Sequence, residues 1–280
     1  MTLALITRCK NEPFIHEFIA YYINEGVDKI YIYDDNSDVG TYDKIDSKYL
    51  DNITILNVKS FTSNRVTLNG GILKHLYNKV KSFDWVINVD VDEFITSNDK
   101  KTIRTHLETT YKNVDRIKIP WVMMTRNGRV NNPQSLLKDT TYRWNHDLPH
   151  VSKHLSQYKF RCYSKLIPCK SVFKPIKFKN CGPHNPYSPY NINTVVSVDS
   201  VNNEPFNMST KKSIHYQNFN EVGIKNATLL CYHYRIFSEE CIRRKLNGCL
   251  YNFNASKMLG YDYPEIIDTK MRDKAIQYSL

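Results

Sequence analysis

The chain has 280 residues, 41% of them apolar, and a formal charge of +11. No apolar run approaches the roughly 18 residues of a membrane span, so neither a disordered nor a membrane-spanning chain is expected, and the length suits a single large α/β domain. The charge predicts attraction to nucleotides, nucleic acid or a phospholipid surface; nucleic acid is not expected, because the basic residues are dispersed and no nucleic-acid-binding signature is present.

The first 120 or so residues alternate strand and helix signals, the pattern of a parallel α/β sheet. "LALIT" (3–7) reads as a buried strand, and "FIHEFIAYYINEG" as a helix with apolar spacing at Phe14, Phe18, Tyr21 and Tyr22 and a stop at Gly26. "KIYIY" and "ITILNV" read as the next two strands. "LNGGILKHLYNKV" reads as a helix weakened by Gly70 and Gly71, leading into the strand "WVINVD". A helix over Thr102 to Tyr111 and a fifth strand, "RIKIPWVMM", follow. Beyond residue 125 the sequence turns Asn-, Pro-, His- and Tyr-rich and reads as loops, apart from a strand-like stretch at 165–178, an irregular loop "CGPHNPYSPYN", and a surface helix in "SEECIRRKLNGCLYNF".

"MTLALITRCKNE" has no basic leader and its apolar run is too short for a signal peptide. Seven scattered cysteines fit reduced thiols better than a disulfide framework, so a cytosolic setting is expected.

"WVINVDVDEF" runs an apolar strand into Asp90, Asp92 and Glu93. In a continuing strand Asp90 and Asp92 would share a face while Val91 turned to the core. At the carboxyl end of a central parallel strand, two hard oxygen donors suit Mg²⁺ or Mn²⁺ bridging a diphosphate; a solvated strand end is the other reading. Glycine-rich dinucleotide and P-loop patterns are absent. The first strand instead ends in "TRCKNE" and the second in "YDDNSDVG", both at the edge where the acids arrive.

Four segments in collinear order, "CKNEPFIHEFIAYYINEGVDKIYIYDDNSD", "WVINVDVDEF", "KLIPCKSVFKPIKFKNCGPHNP" and "CYHYRIFSEECIRRKLNG", resemble the landmarks of family 92 (DUF23-like) and family-2-like glycosyltransferases of GT-A fold, over roughly Leu3 to Gly248. The resemblance implies an α/β fold with a GT-A-like, Rossmann-type nucleotide-binding sheet and an irregular acceptor-binding C-terminal half. Residues 1–280 would form one domain, with a nucleotide-sugar half at 1–125, an acceptor half at 126–250 and a tail at 251–280. It further implies a transferase, generally inverting, that takes a UDP-sugar with Mn²⁺ or Mg²⁺ and a glycan or other hydroxyl acceptor. Relatives usually carry an N-terminal membrane anchor; this fold begins at Thr2, so a bacterial or virus-infected cytosol is expected, with peripheral membrane contact left open by the charge.

Carried over residue by residue, Thr7, Arg8, Asp34 and Asp35 match nucleoside-holding positions; carboxylates there suit ribose hydroxyls or a ring N–H. Asp34 and Asp35 are otherwise turn formers. Arg65 could reach a donor phosphate, and Asp90, Val91 and Asp92 form the D-x-D. His184 or His233 could complete the metal site, and a zinc site of Cys162, Cys169, Cys181 and His184 is a weaker alternative.

An inverting transfer needs a group to take the acceptor hydroxyl's proton. Asp139 aligns with an acidic position of the family, Asp147 is its nearby rival, and His146 and His150 are further options. Trp121 and Trp144 read as sugar-stacking or core residues. Two other functions compete: a degenerate transferase acting as a carbohydrate-binding or scaffold protein, and a metal-dependent phosphoesterase using "DVDEF".

Overall fold

The structure is a computed structural model that describes residues 1–57, 73–148, 166–182, 184–206, 214–248 and 265–280. Arg65, His150 and Cys162 lie outside the described residues. In chain order the first strands are β1 (Leu3–Cys9), β2 (Lys29–Asp34), β3 (Ile53–Asn57), β4 (Trp85–Asn88), β5 (Glu93–Ser97), β6 (Arg116–Met123) and β7 (Tyr142–Trp144). They are followed by β8 (Leu166–Phe173), β9 (Phe178–Cys181), β10 (Pro186–Pro189), β11 (Ser197–Asp199), β12 (Tyr216–Asn218), β13 (Leu229–His233) and β14 (Glu265–Ile267). The α-helices are α1 (Ile15–Asn24), α2 (Leu73–Val80), α3 (Ile103–Glu108), α4 (Leu136–Asp139), α5 (Glu221–Asn226), α6 (Glu239–Gly248) and α7 (Lys270–Gln277).

β1 explains the parallel half. Leu3, Leu5 and Cys9 belong to the apolar cluster that contains the buried face of α1, whereas Ala4 and Ile6 belong to a second cluster with Tyr77 and Val80 of α2. A strand covered on both faces is apolar at every position, which is why "LALIT" shows no polar alternation. Around it the order is β3-β2-β1-β4, all parallel. That is the strand order of a nucleotide-binding half, whose ligands bind outside the carboxyl ends. Gly26 ends α1 at φ +95°, and a Cβ there would meet the Arg104 Cβ at 2.6 Å, so both backbone and space demand glycine.

The sheet continues from β4 through β8, β6 and β13 to β5. β8 runs antiparallel to both β4 and β6, β13 is parallel to β6, and β5 returns antiparallel to β13. β11 and β12 add at β6 and β8. The α/β class with a mostly parallel sheet is therefore as expected, and the second half is more regular than the sequence suggests.

Three expectations are corrected. β4 stops at Asn88, so Asp90 and Asp92 lie in a turn and not on a strand. β5, unread in the sequence, follows at once and is buried at all five positions, which hides it from an alternation test. Part of the "irregular" loop 181–191 forms the antiparallel hairpin of β9 and β10.

β5 is anchored by α1. The Tyr21 hydroxyl donates to the Ile95 carbonyl at 2.8 Å; the Tyr22 hydroxyl donates to the Glu93 carbonyl at 2.9 Å and accepts from the Ile95 N–H at 2.9 Å. Phe18, Tyr21 and Tyr234 pack edge-on against Phe94 at centroid distances of 5.3–5.7 Å. Residues 265–280 are packed in: β14 pairs with β7, and Met271 and Ala275 of α7 are buried. Among the described residues no helix is long and apolar enough to cross a membrane.

Candidate active site

The turn from β4 into β5 is closed by its own acids. The Asp90 N–H donates to Glu93 Oε2 at 2.8 Å, and the Glu93 N–H donates to the Asp90 carbonyl at 3.0 Å. Val91 is buried in the core, while Asp90 and Asp92 diverge toward different partners. Asp90 receives Arg8 Nη2 at 3.1 Å and Lys170 Nζ at 3.0 Å; Lys170, on β8 and fully buried, also lies 2.9 Å from Glu93 Oε2. Asp92 receives Lys245 Nζ at 2.6 Å, and His233 Nε2 stands 3.6 Å away, too far for a hydrogen bond.

These charges set the protonation states. Burial pushes the Asp90 carboxyl up, but Lys170 and Arg8 outweigh it and hold the group well below the usual carboxylate range. Asp92 follows the same logic, with Lys245 outweighing burial. Glu93 is pushed up to about 8 by burial, because Asp90 competes for the single ammonium of Lys170 and both aspartates repel a third negative charge. The imidazole of His184 is pushed down to about 3 by burial and by Lys170, and that of His233 is lowered by burial against the pull of Asp92. Both are neutral near pH 7. The Trp121 ring lies beside both, at centroid distances of 4.3 Å from His233 and 5.4 Å from His184.

The two ionised carboxylates are the oxygen donors that Mg²⁺ or Mn²⁺ prefers, whereas neutral imidazoles suit softer ions better, and the buried Nδ1 of His233 has no hydrogen-bond partner. Among the described residues, however, no three His, Cys, Asp or Glu side chains converge on one point. With the two aspartates directed to different protein cations, the residues do not form a cage closed by protein alone, and a cation at this turn would need further oxygen donors from a ligand. Of the alternative zinc site, Cys162 lies outside the described residues, and among the described residues Cys169, Cys181 and His184 form no metal-holding group; Cys169 and Cys181 are buried thiols whose pKa values burial raises to about 12.

The ends of β1 and β2 adjoin, with the Asp35 N–H donating to the Cys9 carbonyl at 2.8 Å. Thr7 is buried. Asp34 accepts from the Tyr42 hydroxyl at 2.7 Å and the Ser37 N–H at 3.2 Å, which makes it the organiser of its turn. Asp35 is half-buried, with Lys10 Nζ 3.8 Å away.

Neither expected base makes a hydrogen bond or ion pair with the D-x-D turn. Asp139 is exposed at the end of α4, lines a cavity with Arg126 and Arg129, and accepts from the Ser135 N–H at 2.9 Å. Asp147 is exposed and accepts from the Glu221 N–H at 3.1 Å at the start of α5. His146 is buried and meets the Met123 N–H at 3.4 Å. Trp121 and Trp144 are both buried in the core.

Sequence reasoning missed Lys170 and Lys245. α6 reads as a surface helix, yet Lys245 follows the buried Cys241 by four residues and so shares its inward stripe. Lys170 had a fainter signal, a single cation inside an apolar strand. Arg244 ties the same helix to the β1 end, 2.9 Å from Glu12 Oε2 and donating to the Asn11 carbonyl at 2.8 Å.

No curated protein sequence matches this chain. Among solved structures, glucosyl-3-phosphoglycerate synthase from Mycobacterium tuberculosis in complex with phosphoglyceric acid is similar at 12% identity and a TM-score of 0.32, covering 62% of this chain and 57% of that one. Mannosyl-3-phosphoglycerate synthase from Rubrobacter xylanophilus is similar at 12% identity and a TM-score of 0.32, covering 64% and 55%. The chain thus spans little more than half the length of either, and likenesses this distant carry no functional conclusion. The sequence model of glycosyltransferase family 92 matches residues 10–247. That match takes in the D-x-D turn, Lys170, both histidines and Lys245, and the chain belongs to glycosyltransferase family 92.

Proposed function

We propose that the chain transfers a sugar from a nucleoside diphosphate sugar, a UDP-sugar, to a hydroxyl group of a glycan or related acceptor, with inversion. The observation that carries this reading is the pair of ionised carboxylates, Asp90 and Asp92, at the carboxyl edge of the parallel half, ringed by Arg8, Lys170 and Lys245. Asp35 and the end of β1 face the nucleoside, while Asp34 shapes the loop that presents them. Arg8, partly exposed, and Lys245, largely buried against Asp92, attract the diphosphate.

Asp90 and Asp92, with His184 or His233, would hold a divalent cation. When bound, such a cation neutralises charge on the leaving diphosphate. Asp139 is the better candidate for the acceptor's proton, since it borders a cavity while Asp147 is engaged at a helix start. The neutral imidazoles pack against the Trp121 ring of β6, with His233 beside Asp92.

One observation favours a second reading, a sugar-nucleotide-binding protein without transfer: protein cations already balance both aspartates. A panel of UDP- and GDP-sugars, tested for thermal stabilisation and donor hydrolysis with and without Mn²⁺ beside Asp92→Asn, separates the two. Mn²⁺-dependent binding and hydrolysis of one donor class, lost in the variant, supports transfer. Binding without hydrolysis supports the second reading, and no binding by any donor sinks both.

A further inference from the structure

Beyond the end of β6 lies a cavity of about 290 Å³ whose lining includes Thr125, Arg126, Asn127, Arg129, Asp139 and Thr140. At about 30 Å³ per water this is the space of some ten waters, room for a single small polar group and not for a polymer. Its position relative to the D-x-D turn is set by two connections. Met123 is in register with His233, and the Met124 N–H donates to the His233 carbonyl at 3.1 Å, so Thr125 lies two residues past the end of the strand pair beside Asp92. On α6, Glu239 Oε1 lies 3.2 Å from Arg126 Nη1, while Lys245, six residues on, holds Asp92. At about 1.5 Å of rise per residue, the two contacts are separated by about 9 Å along the helix.

The cavity sets two guanidinium groups beside the Asp139 carboxylate, and its polar groups are only partly satisfied. Arg126 shares its charge with Glu239. Arg129 donates from Nη2 to the Asp139 carbonyl at 2.7 Å, a neutral acceptor, and among the described residues no carboxylate forms an ion pair with it. A guanidinium carries five donors in a planar fork that matches carboxylate and phosphate oxygens. Independently, Thr125 and Thr140, 2% and 4% exposed, each bury a hydroxyl that has no hydrogen-bond partner. Orphaned hydroxyls are costly unless something meets them. Oxygen acceptors on a ligand would satisfy both the fork and the hydroxyls.

Resting on the transferase reading, we propose that this cavity is an acceptor subsite for an anionic group, and that the acceptor is a monosaccharide-sized unit bearing a phosphate or carboxylate held chiefly by Arg129. The anchored anion would place the rest of the acceptor between Asp139 and the D-x-D turn.

The test is calorimetric titration of the full chain with glucose 6-phosphate, glucuronate and glucose, with UDP titrated separately as a donor-site readout. Two variants accompany the wild type. Arg129→Gln removes the fork, and Asn127→Asp adds a negative charge at an exposed residue of φ +45°, a conformation Asp tolerates, without removing a hydrogen bond. The expected result is binding of one or both anions but not of glucose, weakened about tenfold or more in both variants, as the loss of a charge-assisted pair predicts. The tighter anion names the group. Glucose binding as tightly as the anions, or anion affinity unmoved by both variants, overturns the proposal. UDP binding with no anion binding also overturns it and leaves the transferase reading standing; anion binding with no UDP binding supports an anion site here and counts against UDP as the donor nucleotide.

Discussion

Lys245 and Asp92, 153 positions apart in the chain, meet as ammonium and carboxylate at 2.6 Å, with side chains only 16% and 13% exposed. A buried pair of this kind adds little net stability when intact, but breaking it strands a charge in a poor solvent. Lys245→Met is therefore expected to destabilise the fold by about 3 kcal/mol. Adding Asp92→Asn should return part of that loss, since the residue left behind is neutral. Urea unfolding of the single and double variants measures the coupling; additive losses would mean that the two groups do not interact.

Glu17 of α1 is the cap of α4 from a distance. Its carboxylate accepts from the Leu136 N–H at 2.9 Å, the Leu137 N–H at 3.2 Å and the Ser135 hydroxyl at 3.1 Å. Glu17→Ala leaves three donors unmet and should cost about 2–3 kcal/mol, whereas Glu17→Gln keeps an acceptor and should cost visibly less. Thermal unfolding of both variants checks the order. Because α4 ends in Asp139, Glu17→Ala should also weaken any ligand of the Asp139 cavity.

Tyr22→Phe removes one hydroxyl that serves the Glu93 carbonyl and the Ile95 N–H at the start of β5. The cost of leaving both buried is expected to be about 2 kcal/mol. Hydrogen exchange should show the gain in amide exchange concentrated at residues 93–96, next to the D-x-D turn. Uniform exchange across the sheet would disprove the local anchoring role.

Acid sensitivity follows from His184. Its imidazole is pushed down to about 3, against 6.5 for the free side chain, so between these values the unfolded chain binds more protons than the folded one. The stability contribution is complete above pH 6.5 and is lost as pH falls toward 3. His184→Gln should lose less stability than the wild type between pH 6.5 and pH 4 in parallel denaturant titrations. Equal slopes would show that His184 is solvated in the fold.

Much of the first half was legible in the sequence. β1, α1, β2, β3 and α3 have local signatures, apolar runs and helical spacing closed by Gly26 or opened by Thr102, that survive into the fold within one to three residues at each end. The D-x-D was legible as a motif but not as a shape. Strand alternation places Asp90 and Asp92 on one face; the turn, closed by Glu93 on the Asp90 N–H, sends them to Lys170 and Lys245 instead. Apart from the strand-like stretch at 165–178 and the helix near the C-terminus, the described part of the second half was read as loops because strands such as β13, buried at every position and paired with distant segments, give no alternation to read.

By itself the sequence determined the α/β class, the parallel half and the acids at its edge, because periodicity and burial of neighbouring residues are short-range properties. Only the tertiary structure decided which cation meets which carboxylate. Lys170 reaches Asp90 across 80 positions and Lys245 reaches Asp92 across 153, and the sign and strength of these contacts depend on distance and burial after the chain has closed on itself. The cavity at Arg129 is of the same kind: its walls come from two chain segments, and its charge depends on α6 holding Arg126 through Glu239.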